Sequence, residues 1–463
     1  MNPGPNLRKF LRFTGIDRSI AFVVLSRAWS TVAGVATLYA IAHFLRPDEQ
    51  GFYYTFSSIL GLQIFFELGF SYTLMQCVSH EKAHLVWTEH GTVEGNVRAK
   101  HRLAALLRVA LRWYGTAAML SFAAVLPAGL IFFQQSSPLH STVAWRIPWV
   151  WLAFASAIML FASPFFAFLE GAGLVAQVAL VRLTTSILTS LSLWLALWRG
   201  WALLASPIVT TVGITCSAIW LAKRWGNYFT DLLRTPTNGT ILNWRLEIWP
   251  FQWRISVSWL SFYFMSQLAI PVLFRYQGPV VAGQMGLSIS LVLAAQAVGL
   301  AWVSTKAPQF GVYVAKGEFE ALDRLFFRTL KQAFSVLSLL SLALLLAVLL
   351  ANETGSPYRL RIVTPVTFLF LLGRMLVDCT AYFLGVYLRA HKQEPLLGVS
   401  LLNALLVGSS TYVFGRFWGA AGLAAGNFAI VLLSMPLIVW IFSQMRRLWH
   451  APPSVVYAGS DFV

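Results

Sequence analysis

The stretch from His43 to Phe70, HFLRPDEQGFYYTFSSILGLQIFFELGF, decides how this chain is read. It reads as the end of one membrane span, a tight polar turn at Arg46-Pro47-Asp48-Glu49-Gln50-Gly51, and most of a second span. Inside that second span lies a carboxylate, Glu67, about eleven residues from the nearer polar end, or some 16 Å at 1.5 Å per residue. An acid at that depth costs roughly 2.5–3.5 kcal/mol on insertion scales, so it belongs to the interior of a helix bundle and points to function.

The composition agrees with a membrane reading. With 463 residues, 58% hydrophobic, 11% charged and a mean hydropathy of +0.68, the chain is no ordinary soluble domain. Long apolar runs recur from end to end, which makes it an all-α polytopic membrane protein. The first run, Ile20 to Leu45, is too long for a signal peptide and is expected to stay as a span. Cys77, Cys216 and Cys379 are scattered in or beside spans, where they read as small buried hydrophobes and not as disulfide or thiolate-metal sites.

Hydropathy predicts about twelve transmembrane helices, with boundaries good to about three residues: 20–45, 52–78, 113–134, 147–169, 174–198, 201–222, 249–274, 280–303, 332–352, 362–388, 395–415 and 419–442. They group into an N-terminal lobe (1–222), a cytoplasmic linker (223–248), a C-terminal lobe (249–442) and a cytoplasmic tail (443–463). With the N-terminus inside, inner loops and tails carry about three times as many Lys and Arg residues as outer ones. Both termini are therefore expected in the cytoplasm. The formal charge of +17 is accounted for by this asymmetry and by lipid headgroups, not by nucleic acid. The long inner segments 79–112, 223–248 and 304–331 are expected to form amphipathic helices on the membrane surface. In the last of these, Phe319, Leu322, Leu325 and Phe326 share one face. The outer loops are too short for an external catalytic domain.

A weak parallel internal repeat supports two six-helix lobes. Phe44-Leu45-Arg46 through Gly51 has a counterpart in Leu273-Phe274-Arg275 through Gly283. Phe168-Leu169-Glu170-Gly171-Ala172-Gly173 likewise corresponds to Tyr387-Leu388-Arg389-Ala390-His391-Lys392. Such a repeat predicts a substrate site between the lobes, near the midplane.

Embedded charge is the main functional signal. Arg27, Glu67, Arg182, Arg254, Arg374 and Asp378 all fall inside predicted spans, in the inner half or near the midplane. Arg182 is followed at helical spacing by Ser186 and Thr189, Arg254 by Ser258 and Ser261, and Arg27 by Thr31, so each opens a hydrophilic stripe. Arg374 and Asp378 stand at i, i+4 and can neutralise each other. Arg254 can snorkel, and Arg27 or Arg182 can pair with Glu67. Four bases against two acids still leave an excess, which calls for an anionic partner, and the guanidinium fork suits phosphate.

One motif points elsewhere. His80-Glu81-Lys82-Ala83-His84 matches H-E-x-x-H, the zinc helix of metalloproteases. It follows the inner end of a span on a polar segment, so a solvated surface helix is the expected state, with no metal and no catalysis. No Walker motif is present, which excludes built-in ATP hydrolysis of that type.

The turn LxPxEQGxY followed by FxELG resembles the first helical hairpin of bacterial polysaccharide (O-antigen type) flippases, in the MATE-like superfamily. The motif-grade likeness covers 43–84 and 249–275. The resemblance implies two six-helix lobes about a cationic cavity. It also implies translocation of undecaprenyl-diphosphate-linked oligosaccharide across the bacterial inner membrane by alternating access, for surface polysaccharide biosynthesis. Diphosphate binding is carried onto Arg27, Arg182 and Arg254, because these positions are embedded on independent grounds. Glu67, Arg374 and Asp378 are the candidates for ion coupling or gating. The expected partners are the lipid-linked oligosaccharide, membrane lipids and other polysaccharide-assembly membrane proteins. No cofactor is expected beyond a coupling ion, H+ or Na+. The alternatives are a MATE-type multidrug or cation antiporter, which would want an acidic cavity, and an intramembrane zinc metalloprotease built on His80, Glu81 and His84.

Overall fold

The structure, a computed structural model, describes residues 18–82, 85–87, 93–136, 142–236, 244, 248–391 and 393–450. Within these, the side chains of 18–28, 31, 86, 87, 93, 94, 250, 251, 254, 258 and 262 are not described. The described chain is almost wholly helical, as a lipid environment requires of backbone that must satisfy its own hydrogen bonds.

Helix α1 (Arg18–Phe44) passes through Leu45 and Arg46 into α2 (Pro47–Leu60). The polar motif predicted as a turn is therefore mostly the first turn of α2. Pro47 occupies its first position, and the Glu49 carboxylate accepts from the Arg46 backbone N–H at 2.9 Å. A fixed proline φ and a reciprocating glutamate start a helix, and Asp48 and Glu49 favour its positive end. A 3-10 turn (Gly61–Gln63) leads into the short α3 (Ile64–Glu67), and the chain then breaks before α4 (Phe70–Lys82). The two halves of this span are bent by 46°.

A small antiparallel hairpin follows, β1 (Leu85–Trp87) with β2 (Val93–Gly95), Val86 lying opposite Glu94. Then come α5 (Val97–Ser136), α6 (Arg146–Gly171), α7 (Val175–Trp198) and α8 (Ala205–Arg234). Beyond them lie α9 (Trp249–Ser266), α10 (Ala269–Gln277), α11 (Pro279–Lys316), α12 (Phe319–Glu353), α13 (Pro365–Ala390) and α14 (Leu397–His450).

Among the described residues, nine helices are long and apolar enough to cross a membrane, and the bent pair Pro47–Glu67 with Phe70–Lys82 makes a tenth. Gly419, at φ 63, divides α14 into two helices. With α1 as the first span the total reaches the expected twelve. The α10–α11 junction repeats the α1–α2 device, since Pro279 also occupies the first turn of its helix.

The inner segments differ from expectation. Residues 97–112 are the start of α5, 223–234 the end of α8, and 304–316 and 319–331 the ends of α11 and α12 that meet at Gly317. None of these is a separate surface helix. RAKHRLAALLRVALRW contains no breaker, and its stripe of Leu103, Leu106, Leu107 and Ala110 is buried in protein. The face predicted on α12 is used in the same way, with Leu322 and Phe326 fully buried.

The chain divides into two compact units, Met1–Tyr263 and Phe264–Val463, the division falling within α9. The core of the first gathers Phe70 and Leu74 of α4, Leu107 and Tyr114 of α5, Phe168 of α6 and Tyr228 of α8. Gly171 allows a close approach of backbone to backbone here, because a Cβ on it would lie 2.5 Å from the Met75 carbonyl oxygen. The second unit packs Phe326, Tyr387 and Phe442 of α12, α13 and α14 against one another, with ring centroids 4.9–5.9 Å apart.

Candidate functional site

Glu67 is the last residue of α3, and the break that follows it is the most unusual backbone in the first unit. Leu68 adopts φ 52 and Gly69 φ 66, both in the left-handed region. A leucine there is strained, and the surroundings hold it. Ser256 Oγ of α9 lies 2.8 Å from both the Leu68 carbonyl, freed from helical bonding, and the Gln252 carbonyl of its own helix, so its one hydrogen serves the two acceptors between them. Gly69 packs so closely on α9 that a Cβ would lie 2.6 Å from Ile255 Cγ2.

The Glu67 carboxylate is half-buried and served by hydroxyls. Ser71 Oγ donates to Oε1, Tyr114 OH donates to the same oxygen at 3.1 Å, and the two hydroxyls are 2.6 Å apart. Among the described residues no Lys, Arg or His pairs with it. Nearby on α9, Gln252 is fully buried, and neither of its amide atoms has a hydrogen-bond partner among the described residues. The break thus gathers a carboxylate and two hydroxyls in a span, a set able to hold a proton or a small cation.

The second unit has an interrupted span too, at Gln267 and Leu268 between α9 and α10, without the sharp bend of the first. There Arg374 Nη2 donates to the Met265 carbonyl at 3.0 Å, and its Nε meets Asp378 Oδ2 at 3.3 Å. The i, i+4 pair seen in the sequence therefore forms. The arginine has a further partner that the sequence did not offer, a carbonyl at the negative end of α9.

Arg182 of α7 pairs with Glu170 of α6, Nη1 to Oε1, at 2.9 Å, with its side chain 58% exposed. Glu170 was absent from the balance of embedded charge, which the structure corrects. The signal was present, since the short turn Ala172-Gly173-Leu174 folds α7 back along α6 and sets the two charges side by side. Arg27 and Arg254 lie on α1 and α9, but their side chains are outside the described residues.

His80, Glu81 and Lys82 close α4, whereas His84 lies outside the described residues. Glu81 Oε1 accepts from Arg102 Nε of α5 at 2.7 Å, an ion pair that ties α4 to α5. A second pair missed by sequence reasoning binds Arg446 to Asp323, Nη2 to Oδ2, at 2.5 Å and joins α14 to α12. Burial pushes the neighbouring His450 and His391 below the ordinary histidine range.

No protein-family model matches the chain, and no curated protein matches it. Solved structures do. An inward-facing conformation of a multidrug resistance MATE family transporter of the MOP superfamily covers 92% of this chain and 98% of its own, at 14% identity and a TM-score of 0.62. The fold is that of the MATE transporters. The MATE multidrug transporter DinF-BH, solved as a ligand complex, matches 94% of this chain and 97% of its own, at 12% identity and a TM-score of 0.57. An outward-facing conformation of a multidrug resistance MATE family transporter matches 94% and 97%, at 13% identity and a TM-score of 0.51. At such identities the likeness concerns the MATE fold and not the residues of any site.

Proposed function

We propose that this chain is an alternating-access transporter of lipid-linked oligosaccharide, with Glu67 as its coupling group. The observation that carries transport is the state of Glu67: a carboxylate within a span, bonded by Ser71 and Tyr114 and by no base among the described residues. Carboxylates within spans serve as proton or ion relays in pumps and transporters. The MATE-type fold supports the same reading, because solved relatives of that fold include inward- and outward-facing conformations of one type of transporter.

The substrate reading rests on the LRPDEQGFY hairpin and on embedded arginine. Arg182 gives Glu170 one amino group of its fork and keeps the rest of an exposed guanidinium for an anion. With Arg27 and Arg254 it would meet the diphosphate of an undecaprenyl-linked glycan, in the bacterial inner membrane with both termini cytoplasmic. Asp378, neutralised by Arg374, takes a structural part. A multidrug antiporter is the competing reading, favoured by the multidrug transporter DinF-BH among the structural neighbours.

The test is reconstitution of the purified chain in vesicles containing a polyprenyl-diphosphate glycan with a fluorescent sugar. An imposed H+ or Na+ gradient should drive the sugar across in the parent, and the gradient should have no effect in Glu67→Gln. Gradient-driven export of a lipophilic cation such as a rhodamine dye, with no glycan movement, would replace the flippase by the antiporter.

A further inference from the structure

The first unit carries a groove of about 660 Å3 between α7 and α8, lined at its side by Trp151 of α6. Its walls are Val181, Leu188, Ile208, Val212 and Ile219, joined by three threonines whose hydroxyls are turned inward. Thr184 donates to the Leu180 and Val181 carbonyls, Thr211 to Pro207 and Thr215 to Thr211, and Thr211 Oγ1 also accepts from Trp151 Nε1 at 3.0 Å, so these hydroxyls are satisfied within the protein. The result is an apolar channel on helices that bilayer lipid surrounds.

One end of the channel is different. Lys223 and Arg224 line it, both exposed, directly after the apolar part of α8. Neither has an acidic partner among the described residues, and Arg224 lies over the Trp225 ring at 5.6 Å. The pair lies between Trp220, half-buried against Phe166, and Trp225, which is buried in the core. The Lys and Arg distribution assigns this end to the cytoplasmic face, where the leaflet is anionic.

We propose that the groove is a binding site for an anionic diacyl phospholipid of the inner leaflet, its phosphate on Lys223 and Arg224 and one acyl chain between α7 and α8. Charge complementarity selects this occupant: two bases with no acidic partner among the described residues meet one phosphodiester at the end of an apolar channel. A zwitterionic lipid would fill the same channel without that attraction. Arginine supplies the forked contact and lysine a point charge.

The test uses the full chain in nanodiscs containing phosphatidylglycerol with a diazirine on its acyl chain, against phosphatidylcholine labelled in the same way. After photolysis, adducts are mapped by peptide mass spectrometry. Adducts are expected on the segments 181–188 and 208–219, with phosphatidylglycerol favoured about tenfold, a modest yield for two bases near the surface. Lys223→Gln/Arg224→Gln should remove the preference and leave the phosphatidylcholine adducts in place, whereas Lys223→Arg/Arg224→Lys should keep it. Equal labelling by both lipids in the parent, or adducts only outside these segments, would overturn the site. Displacement of the label by an equimolar polyprenyl phosphate would overturn the choice of occupant. Each result is read from binding alone, so it stands apart from the outcome of the transport experiment.

Discussion

The two broken spans pose one problem and meet it with opposite chemistry. A helix that stops within the membrane leaves carbonyls without donors, and lipid supplies none. At the break after Glu67 the donor is neutral: Ser256 Oγ takes the Leu68 carbonyl, and hydroxyls of Ser71 and Tyr114 serve the nearby acid. At the break after Ser266 the donor is charged: Arg374 takes the Met265 carbonyl, and Asp378 balances it. At the first break, the groups that meet the carboxylate among the described residues are hydroxyls. The second ties its carboxylate to a guanidinium. Two acids in spans thus meet different partners.

Removing the charge at the second break should give the largest effect. Arg374→Ala strands the Asp378 carboxylate and uncovers the Met265 carbonyl, at a cost of about 3–5 kcal/mol. Heating detergent-solubilised protein and measuring the surviving monodisperse fraction will show it. Arg374→Met/Asp378→Leu should recover most of the loss, and failure to do so would mean that the pair is more than a closure of the break.

Gly69→Ala comes next. Alanine is strained at φ 66, and its Cβ would strike Ile255 Cγ2, which together cost about 3 kcal/mol. Adding Ile255→Ala removes the collision but not the backbone strain, so the same heating assay should show partial rescue. Full rescue would assign the whole cost to packing.

Ser256→Ala leaves the Leu68 carbonyl without its donor, a loss of about 1 kcal/mol in the same assay. A loss as large as that of Arg374→Ala would make the two closures equivalent and end the contrast drawn here. Glu67→Gln should change stability least, within about 1 kcal/mol, because the amide oxygen still accepts from Ser71 and Tyr114. Its transport should nonetheless cease to respond to a proton gradient. A normal response would move coupling away from the first break.

Several features were legible because they are local. The twelve spans follow from hydropathy, since twenty apolar residues in a row have only one economical place in a cell. The Arg374–Asp378 pair follows from i, i+4 spacing on one helix. Both signals survive whatever the helices do later.

The remaining features depend on which helix faces which, and only the tertiary structure decided them. Nothing near Leu68 forces a left-handed turn; α9 does, by packing Ile255 on Gly69 and offering Ser256 to the carbonyl, nearly two hundred residues away. The inner segments are hydrophobic on one face, as a surface helix is. Sequence alone cannot tell lipid from protein as the partner of that face, and the fold gives Leu103, Leu107, Leu322 and Phe326 to protein. Arg182 meets Glu170 because a short turn folds α7 along α6. Tyr114 is an ordinary aromatic of an apolar helix until α5 packs beside the break and brings its hydroxyl to Glu67. Hydropathy fixes where a chain crosses a membrane; the partners of its polar groups are fixed by packing between segments far apart in sequence.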